Sequence, residues 1–226
     1  MDTPEADRVG RRITKPVLTG PLSPNLIDHQ AACAAFRWDQ ARTRLAGLPG
    51  GGLNIAHEAV DRHLGTPRAG RTALRWIGKA GERRDLSYSA LAAETSRFAN
   101  ALRGLGIAPG EVVVVLMGRR PEQSIALLGG LKAGCIVSPL FSAFGPEPIA
   151  TRCALAGARL LVTTTTLYRR KVAGLRAQLP QLAQVVLVDD GADTQAGPDD
   201  DTGVQRWHAL MAAAAPQFTC APTTPE

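Results

Sequence analysis

The amino-acid sequence predicts an α/β fold, with a doubly wound, mostly parallel sheet and flanking helices. Short apolar runs recur from residue 111 onwards, and the most continuous, EVVVVLM at Glu111–Met117, is typical of a strand covered on both faces. Segments with the apolar spacing of amphipathic helices separate these runs. Of the residues, 45% are hydrophobic but only 4% are aromatic, which favours helices packed through small side chains over an all-β sandwich.

The N-terminal segment is predicted to precede the folded domain. Residues 1–24 contain scattered charges and prolines without a period, and residues 25–47 have the apolar spacing of a helix. Pro49–Gly52 is interpreted as a linker, because a phosphate-binding loop needs a strand before it and a Lys-Ser or Lys-Thr pair after it. We therefore predict a helical N-terminal extension and linker over residues 1–52 and a domain over residues 53–226.

The first element of this domain is a predicted helix that runs from Asn54 to Leu64, with Asn54 as its N-cap. His57 and His63 lie on it. No set of cysteines or carboxylates with the spacing of metal ligands accompanies them, so we interpret both as solvated or capping histidines.

A β-hairpin and a long helix follow. Arg71–Ile77 and Arg83–Tyr88 alternate around a glycine-containing turn, which predicts two antiparallel strands. Either Ser87 or Ser89 is the N-cap of a helix that continues to Leu105 and ends at the next glycine.

The rest of the chain alternates between strand and helix. The predicted strands are Glu111–Met117, Cys135–Val137, Arg159–Thr163 and Gln184–Val188, with helices at 121–133, 146–155 and 168–178 between them and a short helix at 207–215. Gly134 is the predicted C-cap of one helix, and Gly145 with Pro146 opens the next. Cys135–Val137 is predicted to be a fully buried strand that ends at Pro139. Right-handed crossovers would join the four strands into a parallel sheet.

Two segments that follow strands are candidates for ligand binding, because open α/β sheets bind ligands at the carboxyl ends of their strands. The loop after the second strand carries Phe141 and Phe144, which can stack on a purine or can fill the core. Leu167–Lys171, LYRRK, is predicted to open the helix after the third strand. Three cations at a helix N-terminus suit a phosphate group, although a solvated basic face remains the alternative.

Charge and cysteine content limit the possible partners. The net charge is +6, but the basic residues are spread along the chain without interleaved aromatics, which argues against nucleic acid and favours small polyanions. The cysteines lack metal-ligand spacing, and Cys135 and Cys153 lie in apolar stretches, so we predict buried core thiols and no disulfide framework. No apolar run reaches the length of a membrane span and no signal peptide is present, so we predict a cytoplasmic protein without a membrane partner.

Two polar runs are interpreted as structural. Thr163–Thr166 has none of the glycines of a phosphate loop and is predicted to end a strand and cap the following helix. The acidic run at 189–202 does not follow the ligand order of an EF-hand and is predicted to be a solvated loop.

Three stretches resemble the adenylate-forming enzymes. Leu131–Ile149, LKAGCIVSPLFSAFGPEPI, resembles their second core motif in the form found in AMP-forming acetyl-CoA synthetases and short-acyl-CoA ligases. Leu86–Glu94, LSYSALAAE, resembles the first core motif, and Asn54–His63 is similar to the family pattern N-x-A-x-x-x-(I/V/L)-D-R-H. The resemblance extends from about Leu53 to the last residue, and it implies a partial adenylate-forming fold.

The resemblance also implies the site and its substrates. In acetyl-CoA synthetases a Phe-Gly-Gly segment lies against the adenine end of coenzyme A, and it matches Phe141, Ser142 and Ala143 by position. An arginine pair meets the 3′-phosphate of coenzyme A, and its best match is Arg169, with Arg170 and Lys171 as near substitutes. The family's substrates are a carboxylate such as acetate, ATP with magnesium, and coenzyme A.

The family reaction joins the carboxylate to the α-phosphorus of ATP, releases pyrophosphate and passes the acyl group to coenzyme A. It needs a glycine-rich phosphate loop, a magnesium-binding acid, a ribose-binding aspartate and a lysine on a mobile C-terminal domain. None has a match in residues 1–226, and the tail QFTCAPTTPE resembles the segment just before that loop. We therefore predict an N-terminal fragment, inactive alone, whose partner is the missing C-terminal part of the enzyme. The alternative is a non-catalytic α/β module that binds coenzyme A or another phosphorylated small molecule.

Overall fold

The computed structural model describes residues 26–191 and 202–224, in two compact units that divide after Leu45. The extension predicted over residues 1–24 and most of the predicted acidic loop at 189–202 lie outside the described residues. In the two described ranges, no helix combines the length and the apolarity that crossing a bilayer requires.

The first unit contains two short helices where one was predicted over residues 25–47. These helices are α1 (His29–Ala35), which Asp28 caps, and α2 (Trp38–Arg42). The prediction of a single helix is wrong because the backbone of Arg37 is extended, with φ of −138°. Its guanidinium donates hydrogen bonds to the carbonyls of Ala34 and Phe36 at 2.9 and 2.7 Å, which satisfies acceptors at the end of α1.

The second unit begins with α3 (Ile55–Ala59), and the Asn54 N-cap is confirmed, since its side chain accepts hydrogen bonds from Ala56 N–H and His57 N–H. The predicted continuation to Leu64 is wrong. Val60 leaves the helical region with φ of −130°, and a 3₁₀ turn follows over Asp61–His63. The side chain of Val60 is only 2% exposed, so we attribute the end of the helix to the burial of this side chain in the core.

The predicted hairpin is confirmed as β1 (Thr72–Ile77) paired antiparallel with β2 (Arg83–Ser87). Of the two candidate caps, Ser87 is the N-cap of α4 (Tyr88–Gly104), because its hydroxyl accepts a hydrogen bond from Ala90 N–H at 3.1 Å.

The main sheet confirms the predicted doubly wound α/β fold. Its strands are β3 (Val112–Leu116), β4 (Ile136–Leu140), β5 (Ala158–Thr164), β6 (Gln184–Val188) and β7 (Val204–Arg206). They are all parallel, in the order β4-β3-β5-β6-β7. The prediction omitted β7, because a strand of three residues carries too little pattern to detect.

The prediction for β4 was wrong in two respects. The strand continues through Pro139 to Leu140, and it is an edge strand whose Ile136 is 58% exposed instead of fully buried. Both follow from its position, because an edge strand has neighbours on one side only and therefore tolerates a proline without an N–H.

Helices cover both faces of the sheet. Successive residues of β3 alternate between two core clusters, with Val113 and Val115 in one and Val114 and Leu116 in the other. On the first face lie α4, α5 (Pro121–Lys132) and α8 (Trp207–Ala213), and on the second lies α6 (Pro146–Ala156). The backbone of Gly134 adopts φ of +76°, as the predicted C-cap requires, and Gly145 is the N-cap of α6.

The predicted regular helix over 168–178 was also wrong. Thr164 caps a short α7 (Thr165–Leu167), which passes into a π-helical turn at Tyr168–Val172 and a 3₁₀ helix at Ala173–Gln178. The wider π turn places both of its end residues, Tyr168 and Val172, in the core at 0% and 1% exposure.

Candidate functional site

The two predicted binding segments lie at the same edge of the sheet. Leu140 at the end of β4 and Thr163 near the end of β5 both pair with Leu116 of β3, one on each side. Two strand spacings therefore separate them, or about 10 Å. We call the six predicted residues that follow these strands the sheet-edge site; they are Phe141, Ser142, Ala143, Arg169, Arg170 and Lys171.

The two aromatic rings of the loop after β4 have different environments. A turn is closed by the hydrogen bond from Phe144 N–H to the Phe141 carbonyl at 3.0 Å, and the rings meet edge to face at 5.9 Å. Phe144 packs against the second core cluster beneath the Arg152 guanidinium, which lies 4.4 Å from the ring centroid. Phe141 is 66% exposed. Phe144 therefore fills the core, which was one of the two alternatives predicted for these rings. The ring of Phe141 is available for stacking.

Lys171 joins the two segments of the sheet-edge site. Its ammonium group donates hydrogen bonds to the carbonyls of Ser142 at 2.7 Å and of Phe144 at 2.8 Å. Those two acceptors lie 29 and 27 residues away along the chain. A single side chain from the π-helical turn thus fixes the loop that carries Phe141.

The two arginines of the site differ in their use. Arg170 is exposed, whereas Arg169 is half-buried and its Nη2 is a buried donor without a hydrogen-bond partner among the described residues. The prediction that LYRRK opens a helix is wrong, because the helical segment begins at Thr165, four residues before Arg169. Any anion bound here would therefore rely on side chains and not on the free N–H groups of a helix start.

A second polar cluster lies beside α4 and α5, the helices that cover the first face of the sheet. The sequence indicated no site there. Lys132 at the end of α5 is 1% exposed. Its ammonium group lies 2.8 Å from Asp61 Oδ1, 3.1 Å from Ser96 Oγ and 3.4 Å from the Ala92 carbonyl. An ammonium group has three protons, so all of its donors have partners.

Cys220 extends this cluster from the C-terminal segment. Its thiol donates a hydrogen bond to Asp61 Oδ2 at 3.1 Å. Burial and the Asp61 carboxylate raise the pKa of this thiol to about 12, so it stays protonated at neutral pH. We call Asp61, Lys132 and Cys220 the cavity floor, because they lie at a cavity of about 690 Å³ whose other lining residues include Leu64, Phe218 and Pro222.

The cavity floor could not be found from sequence spacing, because Lys132 is 71 residues and Cys220 is 159 residues from Asp61. The one local signal was a lysine at the end of the mainly apolar α5. The other buried cysteines, Cys135 and Cys153, are core thiols as predicted, at 5% and 2% exposure.

Comparison with known proteins matches most of this chain to one family. A family model described as AMP-binding enzyme matches residues 61–225. An acetyl-coenzyme A synthetase of Mycobacterium bovis is 33% identical over 184 residues, which is 76% of this chain and 28% of that protein. A 3-hydroxypropionyl-coenzyme A synthetase of Sulfurisphaera tokodaii is 39% identical over 138 residues, or 59% of this chain and 21% of that protein. The matches thus span between about a fifth and about three tenths of these relatives.

Solved structures agree with these matches. The crystal structure of an acyl-CoA synthetase of Brucella canis superimposes with a TM-score of 0.72 at 30% identity, covering 85% of this chain and 33% of that chain. An acetoacetyl-CoA synthetase from Streptomyces lividans gives a TM-score of 0.66 at 27% identity, over 77% of this chain and 27% of that chain.

Proposed function

Because this chain belongs to the AMP-binding enzyme family and corresponds to the N-terminal portion of an AMP-forming CoA ligase, we propose that it supplies the coenzyme A-contacting part of a short-chain acyl-CoA synthetase. In the complete enzyme, ATP with magnesium would convert acetate to acetyl-AMP, and the acetyl group would pass to coenzyme A. Residues 53–226 would be the N-terminal subdomain of the adenylate-forming domain.

One observation supports this proposal: an exposed aromatic ring and an arginine with one unpaired, buried guanidinium nitrogen follow two strands that end at the same end of the sheet. Phe141 offers a free face, and Arg169 Nη2 has no hydrogen-bond partner among the described residues. A buried donor without a partner costs free energy, which an anionic ligand would recover. An adenine ring and a nearby phosphate, as in the nucleotide end of coenzyme A, supply the two complementary groups.

Five of the six residues of the sheet-edge site then have a defined role, and Arg170 is a near substitute for Arg169. Phe141 would stack on the adenine, which is worth roughly 1–3 kcal/mol for a base on an aromatic ring. Arg169 would bind the 3′-phosphate through its planar guanidinium. Ser142 and Ala143 would let the loop backbone approach the nucleotide, and Lys171 would position that loop through the Ser142 and Phe144 carbonyls.

The names of the relatives indicate two small carboxylates as candidate substrates, acetate and 3-hydroxypropionate. The stretch Leu131–Ile149 resembles the motif of acetyl-CoA synthetases and of short-acyl-CoA ligases alike, so we propose acetate as the first substrate to test and 3-hydroxypropionate as the second. The chain alone is expected not to form an acyl-adenylate, because residues 1–226 contain no match to the family's phosphate loop.

The test combines two assays on the purified 226-residue chain. ATP–pyrophosphate exchange is measured with acetate and with 3-hydroxypropionate, and coenzyme A binding is measured by calorimetry. The proposal predicts binding of coenzyme A without exchange. Exchange above background would place a complete adenylation site within these residues, and the absence of coenzyme A binding would contradict the proposed role of the sheet-edge site.

A further inference from the structure

Three potential metal ligands meet at the cavity floor. His57 lies on α3, Asp61 lies in the following 3₁₀ turn, and Cys220 lies in the C-terminal segment. Each residue offers one ligand atom: an imidazole nitrogen, a carboxylate oxygen and the thiol sulfur. These three atoms lie within 4.8 Å of one another. The sulfur already contacts the carboxylate at 3.1 Å. His57 and Asp61 are neighbours in the sequence, but Cys220 lies 159 residues from Asp61, so the fold brings the third ligand to the other two.

We propose that His57, Asp61 and Cys220 bind a zinc ion at the cavity floor. This assignment is independent of the proposed role in acyl-CoA synthesis. A nitrogen, an oxygen and a sulfur ligand form a set that zinc accepts, and a site with three protein ligands leaves a fourth position open. The cavity of about 690 Å³, which these three residues help to line, has room for a water molecule at that position.

The geometry requires only local adjustment. Zinc bonds of about 2.0–2.3 Å in a tetrahedron place ligand atoms about 3.3–3.8 Å apart. The 4.8 Å limit of the cluster exceeds this spacing by about one ångström, a distance that a change of side-chain torsion covers. His57 and Asp61 are partly exposed, so the ring and the carboxylate can move without repacking the core.

Lys132 pairs with only one of the two carboxylate oxygens of Asp61. Its ammonium group pairs with Oδ1 at 2.8 Å, whereas the thiol of Cys220 donates to Oδ2. When zinc binds, the thiol proton would leave to solvent, and Oδ2 would exchange that hydrogen bond for the metal. Lys132 would then orient the carboxylate without binding the metal itself. Carboxylate ligands in metal sites commonly have such a hydrogen-bond partner.

The charges also indicate what fills the fourth position. The thiolate and the carboxylate balance the two charges of zinc, and the Lys132 ammonium adds one positive charge beside them. A hydroxide or a small anion from the cavity would neutralise that excess. The site would therefore bind zinc more tightly when a small anion is present.

The experiment uses cobalt as a spectroscopic substitute for zinc. The chain, freed of metal with a chelator, is titrated with Co²⁺, and thiolate-to-cobalt charge-transfer absorption is recorded in the near ultraviolet. The proposal predicts a band that saturates at one equivalent and disappears when Zn²⁺ is added. Cys220→Ser should abolish the band, and His57→Gln should weaken binding by at least about tenfold.

Matched controls separate this site from other thiols. Cys33 is exposed and its sulfur lies 3.4 Å from His29 Nε2, so Cys33→Ser removes the competing Cys–His pair and should leave the band unchanged. Cys153→Ser tests a buried thiol of the second core cluster and should also retain the band. Circular dichroism establishes that each variant is folded. If Cys220→Ser fails to fold, His57→Gln still tests the site, because it changes a partly exposed residue.

Three results would overturn the proposal. The first is the absence of a thiolate band at equimolar cobalt. The second is a band that persists in folded Cys220→Ser or has full strength in His57→Gln, and the third is a band that is lost in Cys33→Ser. In each case the contact between Cys220 and Asp61 would be only a structural hydrogen bond.

Discussion

The sheet-edge site and the cavity floor both contain cationic side chains, but they use them differently. At the cavity floor, Lys132 has a partner for each of its three protons within the protein. At the sheet edge, Arg169 retains a buried donor without a partner in the described ranges, and Phe141 retains an open ring face. We expect the Lys132 interactions to stabilise the fold, and we propose that the free donor of Arg169 binds a ligand. Substitutions at the cavity floor should therefore change mainly the stability of the fold, whereas those at the sheet edge should also change coenzyme A binding.

The largest effect on stability is expected at the cavity floor. Lys132→Met keeps the length of the side chain but leaves the Asp61 carboxylate without its ion pair, and breaking a buried pair costs about 3–5 kcal/mol. Because the Asp61 side chain is 14% exposed, water can reach it, and we expect the lower end of that range. Urea denaturation measures the change. A loss below about 1 kcal/mol would show that the ion pair is not a stabilising element.

The second effect concerns the contact between α4 and α5 beside the cavity floor. A Cβ at Gly129 would lie 2.8 Å from the Thr95 carbonyl and 2.9 Å from the Phe98 ring. Gly129→Ala should therefore destabilise the chain by about 1–3 kcal/mol despite the better helix propensity of alanine. Gly104→Ala is the control, because a Cβ there meets no atom within 4 Å, and it should stabilise by up to about 1 kcal/mol. Equal effects of the two substitutions would contradict the close packing.

A smaller effect on stability is expected at the sheet edge. Lys171→Met removes the two hydrogen bonds to the loop carbonyls, at a cost of about 1 kcal/mol, because water replaces them at the surface. The same change should weaken coenzyme A binding, since the loop that carries Phe141 loses its anchor. The matched control is Lys79→Met, at an exposed lysine of the turn between β1 and β2 outside the sheet-edge site, which should alter neither quantity. If Lys171→Met leaves the coenzyme A affinity unchanged, Lys171 does not position the loop for binding.

The smallest effect is expected at Glu58, which lies in neither region. Partial burial raises the pKa of its carboxyl, but hydrogen bonds from Ala46 N–H, Gly47 N–H and Arg62 outweigh it, so the pKa lies below its ordinary value of 4.5. A lowered pKa stabilises the fold above pH 4.5, and this contribution is lost as the pH falls through the folded-state pKa. The wild-type midpoint of thermal unfolding should therefore fall in acid more steeply than that of Glu58→Gln. Parallel pH profiles would exclude this contribution.

The sequence predicted those features that depend on neighbouring residues. Asn54 and Ser87 were placed at helix starts because N-cap hydrogen bonds reach only two or three residues along the chain. The alternation of strands and helices fixed the doubly wound sheet, and the carboxyl ends of its strands indicated where a ligand would bind. The loop at Phe141 and the segment at Arg169 were therefore predicted to lie at the same end of the sheet, and they do. That they bind a ligand stays a prediction.

The features that depend on distant residues were not predicted. The edge position of β4, which explains Pro139, follows from the strand order and not from the local sequence. The break at Val60 and the π-helical turn at Tyr168 follow from burial of those side chains. The ion pair between Lys132 and Asp61 joins residues 71 positions apart, and no periodicity reports such a pair.

The most direct test of the sheet-edge site is a calorimetric comparison of coenzyme A with 3′-dephospho-coenzyme A, using the wild-type chain and Arg169→Ala. We predict that the wild-type chain binds coenzyme A about tenfold or more tightly than the dephospho form, since a hydrogen bond to a charged group contributes about 1.5–3 kcal/mol. Arg169→Ala should bind both ligands equally and weakly. Equal affinity of the wild-type chain for the two ligands would contradict the assignment of Arg169 to the 3′-phosphate.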